Sequence, residues 1–295
     1  YQEIILGNVD CVLAGGTESM SRLPYLLENA RWGYRLGNQV VTDAMYKDGF
    51  QDPLSNMLMG ETAEKLGGLK GITREEQDEY ALSSQQRAEA ATKNGWFKNE
   101  IVPIEIREKK TTRMYDLDEH IRMGATIDSM KKLPPVFSKT GTVTAGNSSG
   151  ITDGAAATVL VSERKLKEWG LKPMAKIIGY TSVGVDPSIM GIGPVPAVRK
   201  LLGRINWKLE DFALIELNEA FAAQVLACDR ELKFNRSKLN VHGGAISLGH
   251  PIGCSGTRVL VTLLHALKQH GGERGLATLC VSGGMGVAMA VEMVG

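Results

Sequence analysis

Three short stretches carry residues that ordinary core or loop sequence does not call for. The first is LNEAFAAQ, Leu217–Gln224, which follows the apolar run Ala213–Leu217. Asn218 and Glu219 therefore stand where a strand gives way to a helix, and α/β sheets place their sites at the carboxyl ends of strands. An asparagine there also makes a plain helix N-cap. The second stretch is NVHGGAISLGHPIGCSGTR, Asn240–Arg258, with five glycines in nineteen residues. Such a backbone turns sharply and lets another group come close. Pro251 holds the preceding His250 extended, just before a helix expected to begin near Ser255. A histidine fixed in this way suits a general base, although a histidine packed inside a turn would read the same.

The third stretch is CVSGGMG, Cys280–Gly286. Cys280 ends a strand and opens a turn whose free N–H groups could hold an oxyanion. A buried cysteine is usually a small hydrophobe, and Cys11, Cys228 and Cys254 read that way. Cys280 differs because glycines follow it closely, as a thiol needs if substrate is to reach it. Beside these, TVTAGNSSGITDGAAA (Thr142–Ala157) is dominated by small residues. A narrow ligand could lie against such a backbone, and so could nothing at all. His120, His242, His265 and His270 lack a comparable setting, and the last two, on or beside a helix, are expected to be solvated.

The elements that must position these residues fall into a repeated pattern. Near the start, Tyr1–Leu6 reads as the tail of a helix, Gly7–Asn8 as its stop and Val9–Ala14 as a strand, followed by Gly15–Gly16. Near the end, Thr257–Gln269 reads as an amphipathic helix, Gly271–Gly272 as its stop and Leu276–Val281 as a strand, followed by Gly283–Gly284. Glycine after a helix supplies the left-handed cap, and a short apolar run between glycines suits a buried strand. The first copy has only half a packing helix, so an N-terminal piece is expected to be absent. Between the copies the chain is rich in loops and helices. Its clearest helix opens at Thr73, with Glu76 at the capping-box position, and stops at Asn94–Gly95. Ala155–Val161 reads as another strand, with a polar link near Arg164–Lys172. The expected class is α/β with an inserted domain.

Composition excludes more than it identifies. Lys plus Arg number 34 and Asp plus Glu 33, which gives no electrostatic case for nucleic acid or a membrane surface. Apolar runs reach strand length only. The four cysteines lie far apart without CxxC spacing, which argues against a disulfide framework or a metal site and suits a reducing compartment.

Taken together, GGAISLGHPIGCSGTR with NEAF 32 residues before His250 and CVSGGMG 30 residues after it resembles the thiolase family. DCVLAGGTESMS (Asp10–Ser21), MGETAE (Met59–Glu64) and TAGNSSG (Thr144–Gly150) fit the same pattern, so the resemblance covers essentially the whole chain. It implies a thiolase fold, two similar α/β halves in a five-layer sandwich, here with an incomplete first half. Residues 1–20 would be the remnant of that half, 21–150 an inserted loop domain that binds CoA, 151–165 the last strands of the first half, and 170–295 the second half.

The resemblance implies Claisen condensation of two acetyl-CoA, or thiolysis of a 3-ketoacyl-CoA, through an acyl-cysteine intermediate. His250 would activate the nucleophilic thiol, Cys280 would exchange protons with the leaving sulfur or the α-carbon, and Asn218 would hold a water that with His250 binds one oxyanion. The Ser282 N–H would serve a second oxyanion hole. Met59, Arg122, Ser129, Ala145 and Ser149 would lie along CoA, and Phe221 beside the acyl chain. CoA thioesters enter as substrates, with no metal or separate cofactor, and a cytoplasmic homodimer or homotetramer is expected. Three departures stand out. The family's nucleophile should fall about ten residues before Tyr1, and no cysteine present matches its motif. Ser282 stands where glycine is common, and Leu58 where some short-chain members have histidine. A broad-chain 3-ketoacyl-CoA thiolase, a β-ketoacyl synthase and a non-catalytic thiolase-like subunit are the competing readings. Cys280 in its glycine turn argues against the synthase.

Overall fold

The computed structural model describes residues 1–107, 109 and 111–294. A short helix, α1 (Gln2–Ile5), leads into β1 (Cys11–Glu18), and the chain then leaves for a long excursion. The excursion holds a small ladder of β2 (Tyr25–Leu26) and β3 (Thr42–Asp43), then helices α2 (Met59–Lys70) and α3 (Arg74–Lys93). A hairpin of β4 (Ile104–Arg107) and β5 (Thr112–Tyr115) and the short helix α4 (Ile127–Lys131) follow. The chain returns as β6 (Gly154–Val161), antiparallel to β1, with Cys11 opposite Val161 and Glu18 opposite Gly154. After α5 (Glu163–Glu168) come β7 (Ala175–Gly184), α6 (Pro194–Ile205), β8 (Leu214–Leu217) and α7 (Ala222–Leu232). Then α8 (Ala245–Leu248), α9 (Ile252–His270), β9 (Arg274–Val281) and β10 (Met285–Met293) complete the chain.

The second sheet runs β7-β10-β9-β8, with β8 parallel to β9 and the other pairs antiparallel. Neighbouring residues of a strand face opposite sides, so such a sheet needs cover on both. On one side Leu214, Ala277 and Val291 pack against Val259, Leu263, Ala266 and Leu267 of α9. On the other, Leu276, Ala288 and Ala290 meet Val195, Val198 and Leu201 of α6 and Val225 and Leu226 of α7. Each such leucine or valine contributes about 1.5–3 kcal/mol by leaving water. The opposite flank of α9 rests on β1 and β6. Sheet, helix, sheet and outer helices therefore stack in that order, and α9 is the layer both sheets share.

Several boundaries differ from the sequence expectation for a common reason. Strand β1 does not stop at Ala14 but continues through Gly15 and Gly16 to Glu18. Glycine inside a strand marks close backbone approach. A Cβ on Gly16 would lie 1.9 Å from the Gly253 carbonyl oxygen, so the strand runs on beneath the first turn of α9. That helix likewise starts at Ile252, ahead of Ser255, with Pro251 as its N-cap. Strand β9 gains two residues, from Arg274, and the polar link after β6 contains α5. The capping box holds as read. Thr73 Oγ accepts from the Glu76 N–H at 3.2 Å, and Glu76 accepts from the Thr73 N–H at 2.8 Å. Among the described residues, no helix is long and apolar enough to cross a membrane.

Candidate active site

The parallel pairing of β8 with β9 brings two of the three stretches together. Leu217 stands opposite Thr278, and the Asn218 N–H donates to the Thr278 carbonyl at 3.0 Å. Asn218 and Cys280 therefore leave the same end of the sheet from adjacent strands. The α8–α9 junction supplies the third residue. The His250 N–H donates to the Gly150 carbonyl at 2.9 Å, and the His250 ring lies with Nε2 3.3 Å from Asn218 Nδ2. Asn218 is fully buried, and it is not a helix N-cap: that position belongs to Phe221, three residues on. Its Oδ1 is buried without a hydrogen-bond partner, and a buried polar atom of that kind marks a place for water or substrate.

The other face of the ring fixes its tautomer. His250 Nδ1 lies 2.6 Å from Ser255 Oγ, whose own hydrogen goes to the Pro251 carbonyl at 3.0 Å. Nδ1 must then carry the imidazole proton, which leaves the Nε2 lone pair toward Asn218. Burial, aided by the positive charge of Arg258, pushes the imidazole down to about 4, so it is neutral at pH 7 and free to accept a proton. Ser255 carried no signal of its own in the sequence beyond its place in the glycine-rich stretch.

Cys280 is buried in an apolar cluster with Ala63, Val143, Met190, Ala220 and Phe221, flanked by Met59 and Phe137. Burial pushes its thiol up to about 12 against the pull of its own backbone N–H, so it rests protonated. The turn after it reverses the chain through Gly283 and Gly284 at φ of +79° and +77°, a region that favours glycine. The sequence suggested that the N–H groups of this turn are free. Gly283 corrects that, because its N–H donates to the carboxylate of Asp52. Ser282 is exposed at the tip.

Glu219, next to Asn218, is fully buried and accepts four hydrogen bonds. They come from Tyr80 Oη at 2.8 Å, Ser84 Oγ at 2.7 Å, Asn240 Nδ2 at 2.9 Å and the Ile246 N–H at 3.2 Å. It thereby ties α3, the loop after α7 and the segment leading to His250 into one block. The small-residue loop is pinned similarly. Glu64 accepts the N–H groups of Thr142 and Val143, and the Ser149 N–H donates to the Ala220 carbonyl at 3.0 Å.

Of the remaining residues singled out, Met59 and Phe221 join the Cys280 cluster, and Ser149 lies alongside through Ala220. Ala145 is exposed on the same loop. Arg122 and Ser129 are exposed, and among the described residues no hydrogen bond joins either to Asn218, His250 or Cys280. Arg122 takes its anchorage from Gln85 through its N–H, and Ser129 caps α4. His265 is half-buried rather than solvated, and His270, though exposed, sets its Nε2 3.1 Å from Nε2 of the buried His242. No group of three or more His, Cys, Asp or Glu suited to a metal occurs among the described residues.

Comparison with known proteins gives these residues a family context. The family model described as thiolase, N-terminal domain matches residues 1–164, and that described as thiolase, C-terminal domain matches residues 171–293. An acetyl-CoA acetyltransferase of Chromobacterium violaceum is 53% identical over 292 residues, covering 99% of this chain and 74% of that protein. The crystal structure of a Bacillus anthracis acetyl-CoA acetyltransferase superimposes with a TM-score of 0.96 at 50% identity, over 99% of this chain and 74% of that one. A human mitochondrial 3-ketoacyl-CoA thiolase in complex with CoA gives 0.94 at 46% identity, over 99% and 73%.

Proposed function

The chain belongs to the thiolase family, and from that premise we propose that it makes or breaks the bond between the α-carbon of one CoA thioester and the acyl carbon of another. Acetyl-CoA and short 3-ketoacyl-CoA are the proposed substrates, on the strength of relatives named acetyl-CoA acetyltransferase. The observation that carries the reading is the pairing of Asn218 Nδ2 with a neutral, Nε2-basic His250 at 3.3 Å, on the strand end beside Cys280.

In the proposed mechanism His250 takes the proton of the attacking thiol at Nε2. The resulting Nε2–H, with a water held by Asn218, then donates to the thioester oxygen as charge builds there. In thiolysis the thiolate adds to the 3-keto carbon. Breaking the bond between Cα and Cβ leaves the acyl group on the cysteine sulfur and sends the electron pair into the departing CoA thioester as an enolate. Cys280 protonates that α-carbon, a task that a thiol resting near 12 suits. A second CoA, giving its proton to Cys280, later takes the acyl group. The Ser282 N–H completes the site as a second oxyanion donor. Residues 21–150 would carry CoA, with Met59, Ala145, Ser149, Arg122 and Ser129 along it and Phe221 beside the acyl group. Four unpaired cysteines suit the reducing cytoplasm, and a homo-oligomer is the proposed assembly.

The test is CoA-dependent loss of acetoacetyl-CoA, on the chain as given and on one extended upstream of Tyr1 with the matching segment of the Chromobacterium protein. Mass spectrometry of the acylated cysteine accompanies both assays. Turnover by the extended chain, abolished by His250→Ala, supports the reading. Turnover by the short chain would mean that one of its four cysteines carries the acyl group. No turnover by either would overturn it.

A further inference from the structure

Asp52 lies outside every stretch that the sequence marked, yet it is fully buried and reaches across 231 positions to the turn after Cys280. We propose that Asp52 is a positioning residue that clamps this turn, so that the Ser282 N–H is the one presented to the substrate oxygen. The proposal rests on the oxyanion role given to that turn above.

The two carboxylate oxygens of Asp52 divide their work. Oδ1 accepts from the Leu54 N–H at 2.9 Å, the Ser55 N–H at 2.8 Å and Ser55 Oγ at 3.2 Å, which closes the local loop. Oδ2 is left for the Gly283 N–H. The loop itself is stiff. The Asp52 N–H donates to the Met57 carbonyl at 2.8 Å, the Asn56 N–H returns to the Asp52 carbonyl at 2.8 Å, and Gln51 bridges to Leu58. Pro53 restricts Asp52 further. Beyond Leu58 the chain enters α2, whose first residue, Met59, packs beside Cys280. Burial alone would raise the carboxyl of Asp52, but the N–H groups of Ser55, Gly283 and Leu54 and the Ser55 hydroxyl outweigh it and hold it below the ordinary carboxylate range. Asp52 is therefore a fixed negative charge on a rigid piece of chain.

The turn it meets is the opposite. Two consecutive glycines at positive φ leave the backbone free to choose other conformations. One anchor is the Gly284 carbonyl, which accepts from the Val185 N–H at 2.7 Å. Asp52 is the other, and it acts on the peptide next to Ser282. With both anchors in place the Ser282–Gly283 peptide has one orientation. With Asp52 gone it can rotate. The ψ of Ser282, and with it the setting of the preceding Val281–Ser282 peptide that carries the Ser282 N–H, is no longer fixed. The tie between this turn and the segment that brings Met59 beside Cys280 is cut.

Two substitutions separate this role from loop closure. Asp52→Asn keeps one oxygen for the loop but sets an NH2 against the Gly283 N–H. Asp52→Ser keeps a hydroxyl for the Leu54 and Ser55 N–H groups but cannot reach Gly283. The readout that needs no turnover is peptide-resolved iodoacetamide labelling of the folded chain, with exposed Cys11 as the reactive reference and buried Cys228 and Cys254 as controls. We expect Cys280 labelling to rise by about tenfold or more in both variants while Cys228 and Cys254 stay within about twofold, since local opening frees only the segment released. Ser55→Ala, which leaves the Gly283 contact intact, should label as the parent does. In the acetoacetyl-CoA assay on whichever chain turns over, kcat should fall by about 10²-fold with KM little changed, the scale of a lost oxyanion donor. Labelling of Cys280 that does not change, or that rises together with Cys228 and Cys254, overturns the clamp whether or not any chain turns over. Selective labelling without turnover keeps the clamp and refutes the enzymatic reading instead.

Discussion

Replacing Glu219 by glutamine tests the block that holds Asn218 and His250 together. The side chain keeps its shape, but one oxygen becomes an NH2. If the NH2 takes the place of Oε2, the Ile246 N–H faces a donor; if it takes the place of Oε1, Asn240 Nδ2 does. The hydroxyls of Ser84 and Tyr80 can turn to accept, but an amide N–H cannot. One buried donor is thus orphaned, at about 1–3 kcal/mol, and the surviving bonds lose the extra strength of a charged acceptor. Removing a buried charge, and its repulsion of the nearby Glu216, returns part of that. The net expectation is a loss of about 2–4 kcal/mol. For a 295-residue chain the unfolding entropy near Tm is about 0.6 kcal/mol per kelvin, so the shift is roughly 3–7 °C. Urea unfolding and calorimetry measure it. A variant within about 0.5 kcal/mol of the parent would refute the argument that Glu219 ties the site together.

The pH dependence has a sign that can be worked out in advance. His250 and His242 are both pushed down to about 4, His250 by burial and then Arg258, His242 by burial and then the neighbouring His270. Their contribution is fully present above about 6.5 and is lost as pH falls toward 4, on the order of 3 kcal/mol for each. Glu216 and Glu100, pushed up to about 8 and 7 chiefly by burial, act in the opposite sense, losing stability as pH rises through those values. The stability of the parent minus that of His242→Asn should therefore fall by up to about 3 kcal/mol between pH 7 and pH 4; a constant difference would contradict the assignment. Gly16→Ala would drive a methyl into the Gly253 carbonyl oxygen at 1.9 Å, a backbone atom that cannot swing away. A loss of about 3 kcal/mol or more, or failure to accumulate folded protein, is expected by calorimetry, and a near-neutral Tm would mean that β1 and α9 are not in that contact.

Which features could be read from the sequence follows from the range of the interactions involved. The α3 capping box and the glycine stops after α1 and α9 were legible because each is decided within a few residues. Asn218, His250 and Cys280 could be singled out because each lies in an improbable local pattern, and the structure sets Asn218 against His250 at the strand end beside Cys280. The ends of β1 and α9 were not, because the Gly16–Gly253 contact that sets them joins residues 237 apart. Asp52 and Tyr80 were invisible for the same reason, since their partners lie 231 and 139 positions away. Ser255 is a different case: it was in view, but only the direction of its hydrogen bond, fixed by Pro251, gave it meaning.

The pairing of β1 with β6 also governs how the chain must assemble. Cys11 finds Val161 across 150 residues, so the first sheet closes a very long loop, and contacts of that range are slow to form. The excursion between them shortens the search. Glu64, accepting from the N–H groups of Thr142 and Val143, and Asn147, donating to Asp78, tie the end of the excursion back to α2 and α3. Ties of this kind shorten the effective loop that the pairing of β6 with β1 must close, and α9, which contacts both sheets, has both flanks covered only when both are formed.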